Sequence, residues 1–179
     1  DPAAPETVYA ATSGGGVFRS DDGGNTWVLP GDGMTSREVR WIEVDPKLPS
    51  ILWAGAGDTG QAALWRSLDR GKSWAKVKVD ATSTALGQPV AFAPGKPGVI
   101  FEPSTNLHYR SGDGGRTWQG FRVPGQDAYA FAVDPKDPNV VWAGGRGESH
   151  HVSVSRDGGK TWKPCGEGPP EASVKLLRV

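Results

Sequence analysis

Apolar residues along this chain come in short bursts, each closed by Gly, Pro, Asp, Asn or Ser, and no stretch repeats them at the helical period of about 3.6 residues. The bursts fall at 8–11, 17–19, 39–44, 51–54, 64–66, 90–93, 99–101, 108–110, 129–133, 140–143, 152–154 and 174–179. They are rich in Val, Ile, Trp, Phe and Tyr, so each is predicted as a β-strand.

Two kinds of punctuation keep time with the strands. Asp1-Pro2, Asp45-Pro46 and Asp134-Pro135 each precede a buried-type strand, and Ala93-Pro94 holds the same place in the third unit. An octet also occurs four times: 20–27, 67–74, 111–118 and 155–162. Its common core is Ser-x-Asp-x-Gly-x-(Thr or Ser)-Trp, carried by Ser20, Asp22, Gly24 and Trp27; by Ser67, Asp69, Gly71 and Trp74; by Ser111, Asp113, Gly115 and Trp118; and by Ser155, Asp157, Gly159 and Trp162. The Asp carboxylate can accept backbone N–H bonds inside a tight turn, Gly supplies a left-handed φ, and the hydroxyls close further local bonds. Trp opens the next strand with a large apolar surface to bury, and its indole N–H can find a partner at the edge. The boxes begin 44 to 47 residues apart, a period suited to a four-stranded propeller blade.

Composition narrows the functional classes. Lys plus Arg and Asp plus Glu are twenty each, so no global field attracts nucleic acid or an anionic membrane. No apolar run approaches the roughly 18 residues of a membrane span. The chain opens at Asp1 without a signal peptide or initiator Met and reads as a mature form or a piece of something longer. Cys165 is single, so it forms no intrachain disulfide. Gly and Pro, 26 and 15, recur at repeat positions, which marks turns rather than low complexity.

The fourfold octet is similar to the signature of the Asp-box, or BNR-repeat, β-propellers. The Asp-Pro-Lys-x-Pro phrasing, with Arg19, Arg66 and Arg110 ahead of three box serines, looks most like the xyloglucanase-type and sortilin-type repeats; Val154 breaks the arginine pattern. The resemblance implies an all-β propeller with four antiparallel strands per blade, A to D, the box lying between C and D. The expected blades are 172–179 plus 1–31, 36–79, 87–122 and 127–165, with the C-terminal strand supplying strand A and closing the first blade. Four repeats leave three assemblies open: a four-bladed ring, half of an eight-bladed ring completed by a homodimer, or part of a longer propeller. The family also implies a secreted or extracytoplasmic protein without a cofactor.

Under this lettering the B–C and D–A loops share one face, where a ligand is expected. Candidate ligand-binding residues there are Asp32, Arg37, Asp58, Gln61, Asn106, Arg146 and His150. Glycoside hydrolysis needs two carboxylates flanking the scissile bond, and Asp58, Asp127 and Glu148 are the candidates. The segment Phe121-Arg122-Val123-Pro124 looks like the Phe-Arg-Ile-Pro motif of sialidases, though it follows the third box instead of preceding the first. The Arg-Thr-Asp-x-Gly-Gly segment that carries a catalytic Asp in xyloglucanases has no match, nor has the His-Gly-Trp stretch of photosystem II assembly factors. The leading expectation is therefore a non-catalytic scaffold that meets a carbohydrate or protein ligand, with a glycoside hydrolase, or a fragment of one, as the alternative. Adjacent His150 and His151 on an extended segment point opposite ways and make a poor metal site, so no metal is expected. Two charges on inner strands, Glu43 and Arg178, are expected to pair, and Pro103 is expected to cut short the strand bearing Glu102.

Overall fold

The structure, a computed structural model, describes residues 1–29, 31–57, 63–79, 89–104, 107–147, 151–166, 173–175 and 177. Every named element among them is a strand. The chain divides into two compact units, Asp1–Val79 and Asp80–Val179.

In the first unit β1 (Val8–Thr12) pairs antiparallel with β2 (Gly16–Ser20), and a bridge from Arg19 to Val28 marks a third line of backbone. β3 (Val39–Val44), β4 (Leu52–Ala56), β5 (Ala63–Ser67) and β6 (Ala75–Lys76) form a four-stranded sheet in sequence order. The second unit holds two more. One is β7 (Ala91–Phe92), β8 (Ile100–Glu102), β9 (His108–Ser111) and β10 (Gln119–Phe121); the other is β11 (Gln126–Val133), β12 (Val141–Gly147), β13 (Val152–Ser155) and β14 (Lys163–Pro164). β8 stops at Glu102, as Pro103 requires, because Pro has no N–H to continue the ladder.

The boxes turn each third strand into the fourth by one repeated set of bonds. Ser20, Ser67, Ser111 and Ser155 are at most 1% exposed. Each hydroxyl donates to its box Asp at 2.7 to 2.9 Å and accepts the N–H of the box Gly at 2.7 to 2.8 Å. The second carboxylate oxygen takes the Thr or Ser hydroxyl at 2.6 Å in all four. Gly24, Gly71, Gly115 and Gly159 have φ between 80° and 94°, the left-handed region that excludes most side chains. The box Trp differs from expectation. Trp27 donates to Gly24 O at 3.0 Å, but the indole N–H groups of Trp74 and Trp162 are buried without an acceptor among the described residues. Their anchoring comes from the apolar ring.

Each unit has a core between its two sheets. In the first unit Val17, with Tyr9 and Ala11 packed beside it, meets Leu52, Ala54, Trp65 and Trp74. In the second, Phe101 and Phe121 meet Phe131, Val141, Ala143 and Trp162, with the Phe121 ring stacked on Trp162 at 5.9 Å. The three pre-box arginines are part of this packing. Arg19, Arg66 and Arg110 lie over Tyr9, Trp53 and Phe101, directly across the ladder on the neighbouring strand. Arg19 also donates to Arg70 O at 3.4 Å and Arg110 to Gly158 O at 3.0 Å, equivalent positions in the box of the next sheet. Arg19 and Arg110 are thus structural clasps, each within its own unit.

Of the expected closing strand, 174–179, the structure describes residues 174, 175 and 177. Val174 N–H donates to Gly145 O at 2.9 Å, and Val174 and Leu177 crowd Gly144, so these C-terminal residues lie on β12 of the fourth sheet. β12 offers a surface there because Gly144 and Gly145 carry no side chains. The first sheet holds β1 and β2 as its named strands. Arg178, the expected partner of Glu43, lies outside the described residues.

Candidate functional site

In the second unit an open cleft of about 560 Å³ is lined by His108, Arg122, Val123, Pro124, Gly125, Gln126, Asp127, Arg146 and Gly147. Its walls are the D–A connection leading from β10 to β11, the far end of β12 and the start of β9. That is the loop face on which a ligand was expected.

The local structure fixes each wall. Val123, 3% exposed, anchors the connection in the core, and Gly125 turns it with φ 69°. Gln126 N–H donates to Val123 O at 3.3 Å. Its amide nitrogen donates to His151 O at 2.7 Å and its amide oxygen accepts the Ser153 hydroxyl at 2.8 Å, so the side chain ties β11 to the β13 end of the same sheet. Asp127 then faces Arg146 directly across β11 and β12. A register shift between Ala128 and Ala130 separates this pair from the regular ladder below it, re-aiming the rim residues.

His108 forms the floor. It is 2% exposed and packs against Phe121 and Phe131 at 5.6 and 5.3 Å between ring centres. Burial pulls its imidazole down to about 4; the nearby Asp127 charge opposes this and Arg122 adds to it. At neutral pH the ring is uncharged. Its Nδ1 accepts the Ser104 N–H at 3.4 Å, which puts the ring proton on Nε2.

Arg122, Asp127 and Arg146 are exposed and form no ion pair among the described residues. The cleft therefore offers two guanidinium donors and one carboxylate acceptor over an uncharged floor, a set suited to a ligand rich in hydroxyl groups. Among the described residues Asp127 is its one carboxylate. No group of three or more His, Cys, Asp or Glu among the described residues could hold a metal ion.

Of the residues singled out in the sequence, Asp127 and Arg146 meet in this cleft. Asp58, Gln61, Asn106, Glu148 and His150 lie outside the described residues. Asp32 and Arg37 belong to the first unit and act there through their backbones. Asp32 accepts the Trp74 N–H at 2.9 Å and bridges to Ser73, while Arg37 O receives the N–H groups of Gly14 and Gly16. Sequence reasoning missed His108 and Gln126 as parts of a site. It flagged Arg122 only within its four-residue motif, although its place in a D–A connection was the available signal.

Comparison with known proteins follows the same lines. The chain is 31% identical over 165 residues to the xyloglucanase Xgh74A of Acetivibrio thermocellus, covering 70% of this chain and 19% of that protein. It superposes with a TM-score of 0.74 and 22% identity on the GH74 xyloglucanase of Xanthomonas campestris, covering 94% of this chain and 30% of that one. It also superposes with a TM-score of 0.60 and 16% identity on YCF48 bound to D1 peptide, covering 93% of this chain and 51% of the other. The chain thus spans about a fifth of the length of Xgh74A. The structural likenesses establish an all-β fold of propeller blades. A family model described as sortilin, neurotensin receptor 3 matches residues 62–171, a stretch holding three of the four boxes and all of the cleft residues. The chain belongs to the Sortilin-Vps10 family of Asp-box β-propellers.

Proposed function

We propose that this chain is the glycan-contacting part of a xyloglucanase-type Asp-box propeller, and that it holds a β-glucan chain in the cleft between the third and fourth sheets. The observation that carries this reading is the exposed trio Arg122, Asp127 and Arg146 around one open cleft, on the face where the loops gather. A guanidinium can donate to two neighbouring sugar hydroxyls, and a carboxylate can accept from a third. The His108 floor is uncharged, so a sugar ring can rest on it without stranding a charge. The chain's xyloglucanase relatives supply the substrate class. An extracytoplasmic location follows from the same kinship, since polysaccharide substrates lie outside the cell.

Binding and catalysis separate by their carboxylates. Asp127 alone serves binding; hydrolysis requires a second acid at about 5 to 10 Å. Glu148, next after Gly147 in the sequence, is the candidate. The test is calorimetric titration of the chain with xyloglucan and cello-oligosaccharides, alongside an assay for new reducing ends. Arg122→Ala or Asp127→Ala is expected to weaken binding about tenfold, a loss of about 1.4 kcal/mol. Arg37→Ala, in the first unit, is expected to leave it unchanged. Absence of binding by the unaltered chain would refute the reading. Turnover that disappears in Asp127→Asn while binding persists would assign hydrolysis to the same cleft.

A further inference from the structure

The end of β11 that borders the cleft is held differently from the rest of the strand. Past the register shift at Ala128 and Ala130, Phe131 and Val133 bury apolar side chains in the core. Ahead of it stand Gln126, Asp127 and Ala128, and the residues facing them on β12 are Gly147, Arg146 and Gly145. Two of those three are glycines, so cross-strand side-chain packing, the usual stabiliser of a sheet, contributes little at this end.

A buried amide takes its place. Gln126 is 7% exposed, whereas Asp127 beside it is exposed. Gln126 Nε2 donates to His151 O at 2.7 Å, a carbonyl that also accepts the Gly145 N–H at 3.0 Å. Gln126 Oε1 accepts the hydroxyl of buried Ser153 at 2.8 Å. These bonds cross β12 to reach Ser153 on β13 and His151 just ahead of that strand, so one side chain ties the three strands at the rim.

The first unit shows that the sheet itself does not require this device. β3 has its own register shift, at Val39 and Trp41, and the residue two places ahead of it is Arg37, which is exposed and acts through its carbonyl. Glu38 then stands where Asp127 stands in β11, and the Ser13 hydroxyl holds its carboxylate directly at 2.7 Å. No side chain among the described residues holds Asp127 in that way. Its aim depends on its backbone, and that backbone depends on the amide of its neighbour.

We propose that Gln126 is a positioning residue of the cleft: its buried amide fixes the first residues of β11 and so aims Asp127, across from Arg146, at the ligand. The proposal rests on the glycan reading of this cleft and assigns Gln126 an indirect role in it, through Asp127.

The test is a double-mutant cycle read by calorimetric titration with a xyloglucan oligosaccharide. Gln126→Met keeps the length of the side chain and removes its hydrogen bonds. It is expected to weaken binding about fivefold, the scale on which one hydrogen bond counts. In an Asp127→Ala chain the same change should do nothing further, because no carboxylate is left to aim. In an Arg122→Ala chain the two losses should multiply. Unchanged affinity in Gln126→Met would overturn the proposal. So would an equal loss in the Asp127→Ala background, which would mark a general loosening of the sheet. If Gln126→Met does not fold, Ser153→Ala, which frees only the amide oxygen, is read by the same comparisons. A second measurement needs no ligand. In the isotope-labelled chain, Gln126→Met should lower the backbone order parameters of Asp127 and Ala128 and leave those of Phe131 and Val133 as they are. If the unaltered chain binds no oligosaccharide, the glycan reading fails and these order parameters decide whether Gln126 fixes Asp127. Unchanged values at Asp127 would overturn the proposal on their own.

Discussion

Two buried titratable residues of the second unit, Glu102 and His108, show how far a side chain's fate depends on what packs around it. Glu102 is 3% exposed, one of its carboxylate oxygens has no hydrogen-bond partner among the described residues, and burial pushes its carboxyl up to about 8. The folded chain therefore keeps a proton that the unfolded chain releases near 4.5, so Glu102 lowers stability as pH rises from about 4.5 to 8 and has no further effect outside that window. Glu102→Gln cannot ionise. Its melting temperature is expected to fall less than that of the unaltered chain across this window and to exceed it at pH 8, measured by scanning calorimetry. Comparing the two chains cancels His108, whose depressed value acts in the opposite direction between about 4 and 6.5. Parallel melting curves would show that Glu102 is solvated. The contrast with the boxes explains what was legible at this scale. Thr26 hydroxyl and backbone, followed by Ser20, hold the Asp22 carboxyl down to about 2, and all these partners lie within four residues. Such bonds can be read from an octet. The rings that bury His108, Phe121 and Phe131, come from other strands, and no local pattern announces them.

Strands were legible for a related reason. Their apolar bursts and Asp-Pro or box punctuation are local, and most bounds agree within a few residues. At the last burst, Gly144 and Gly145 on β12 give Val174 and Leu177 a place to lie, a contact with no local pattern. The inner strands carry a second feature with no sequence signature, a register shift at Val39/Trp41 in β3 matched by the one at Ala128/Ala130 in β11. Each lies opposite a glycine whose missing side chain makes the room. A methyl group at Gly55 would strike the Trp41 indole, and one at Gly145 would strike the Asp127 backbone. Gly55→Ala is expected to cost about 1–3 kcal/mol, the usual scale for overpacking a core. Its denaturant midpoint should fall without a change in slope; an unchanged midpoint would mean that Trp41 has room to turn away.

For the whole chain, the loop face was readable because strand lettering assigns loops to faces, and Asp127 and Arg146 were placed on it before any coordinates. Which rim residues converge was not readable, since Arg122 reaches the cleft only through the anchoring of Val123 and the turn at Gly125. The sheets of each unit are held by burial and by forward-reaching arginines. Arg110→Ala is expected to speed amide exchange several-fold across the fourth box, 155–162, as suits a hydrogen bond worth about 1 kcal/mol. The second box, 67–74, should be unaffected, and Arg19→Ala should give the reverse pattern. Equal changes in both boxes would mean that the arginines act on global stability.

The forward reach of these arginines also bears on how such a gene can grow. Donor and acceptor belong to different repeats, so a tandem duplication copying one whole period adds one arginine and one box carbonyl in matching order. A duplication out of phase leaves a seam with two donors or none. Lengthening in whole periods of 44 to 47 residues is thus the path on which every intermediate gene encodes sheets that fit their neighbours.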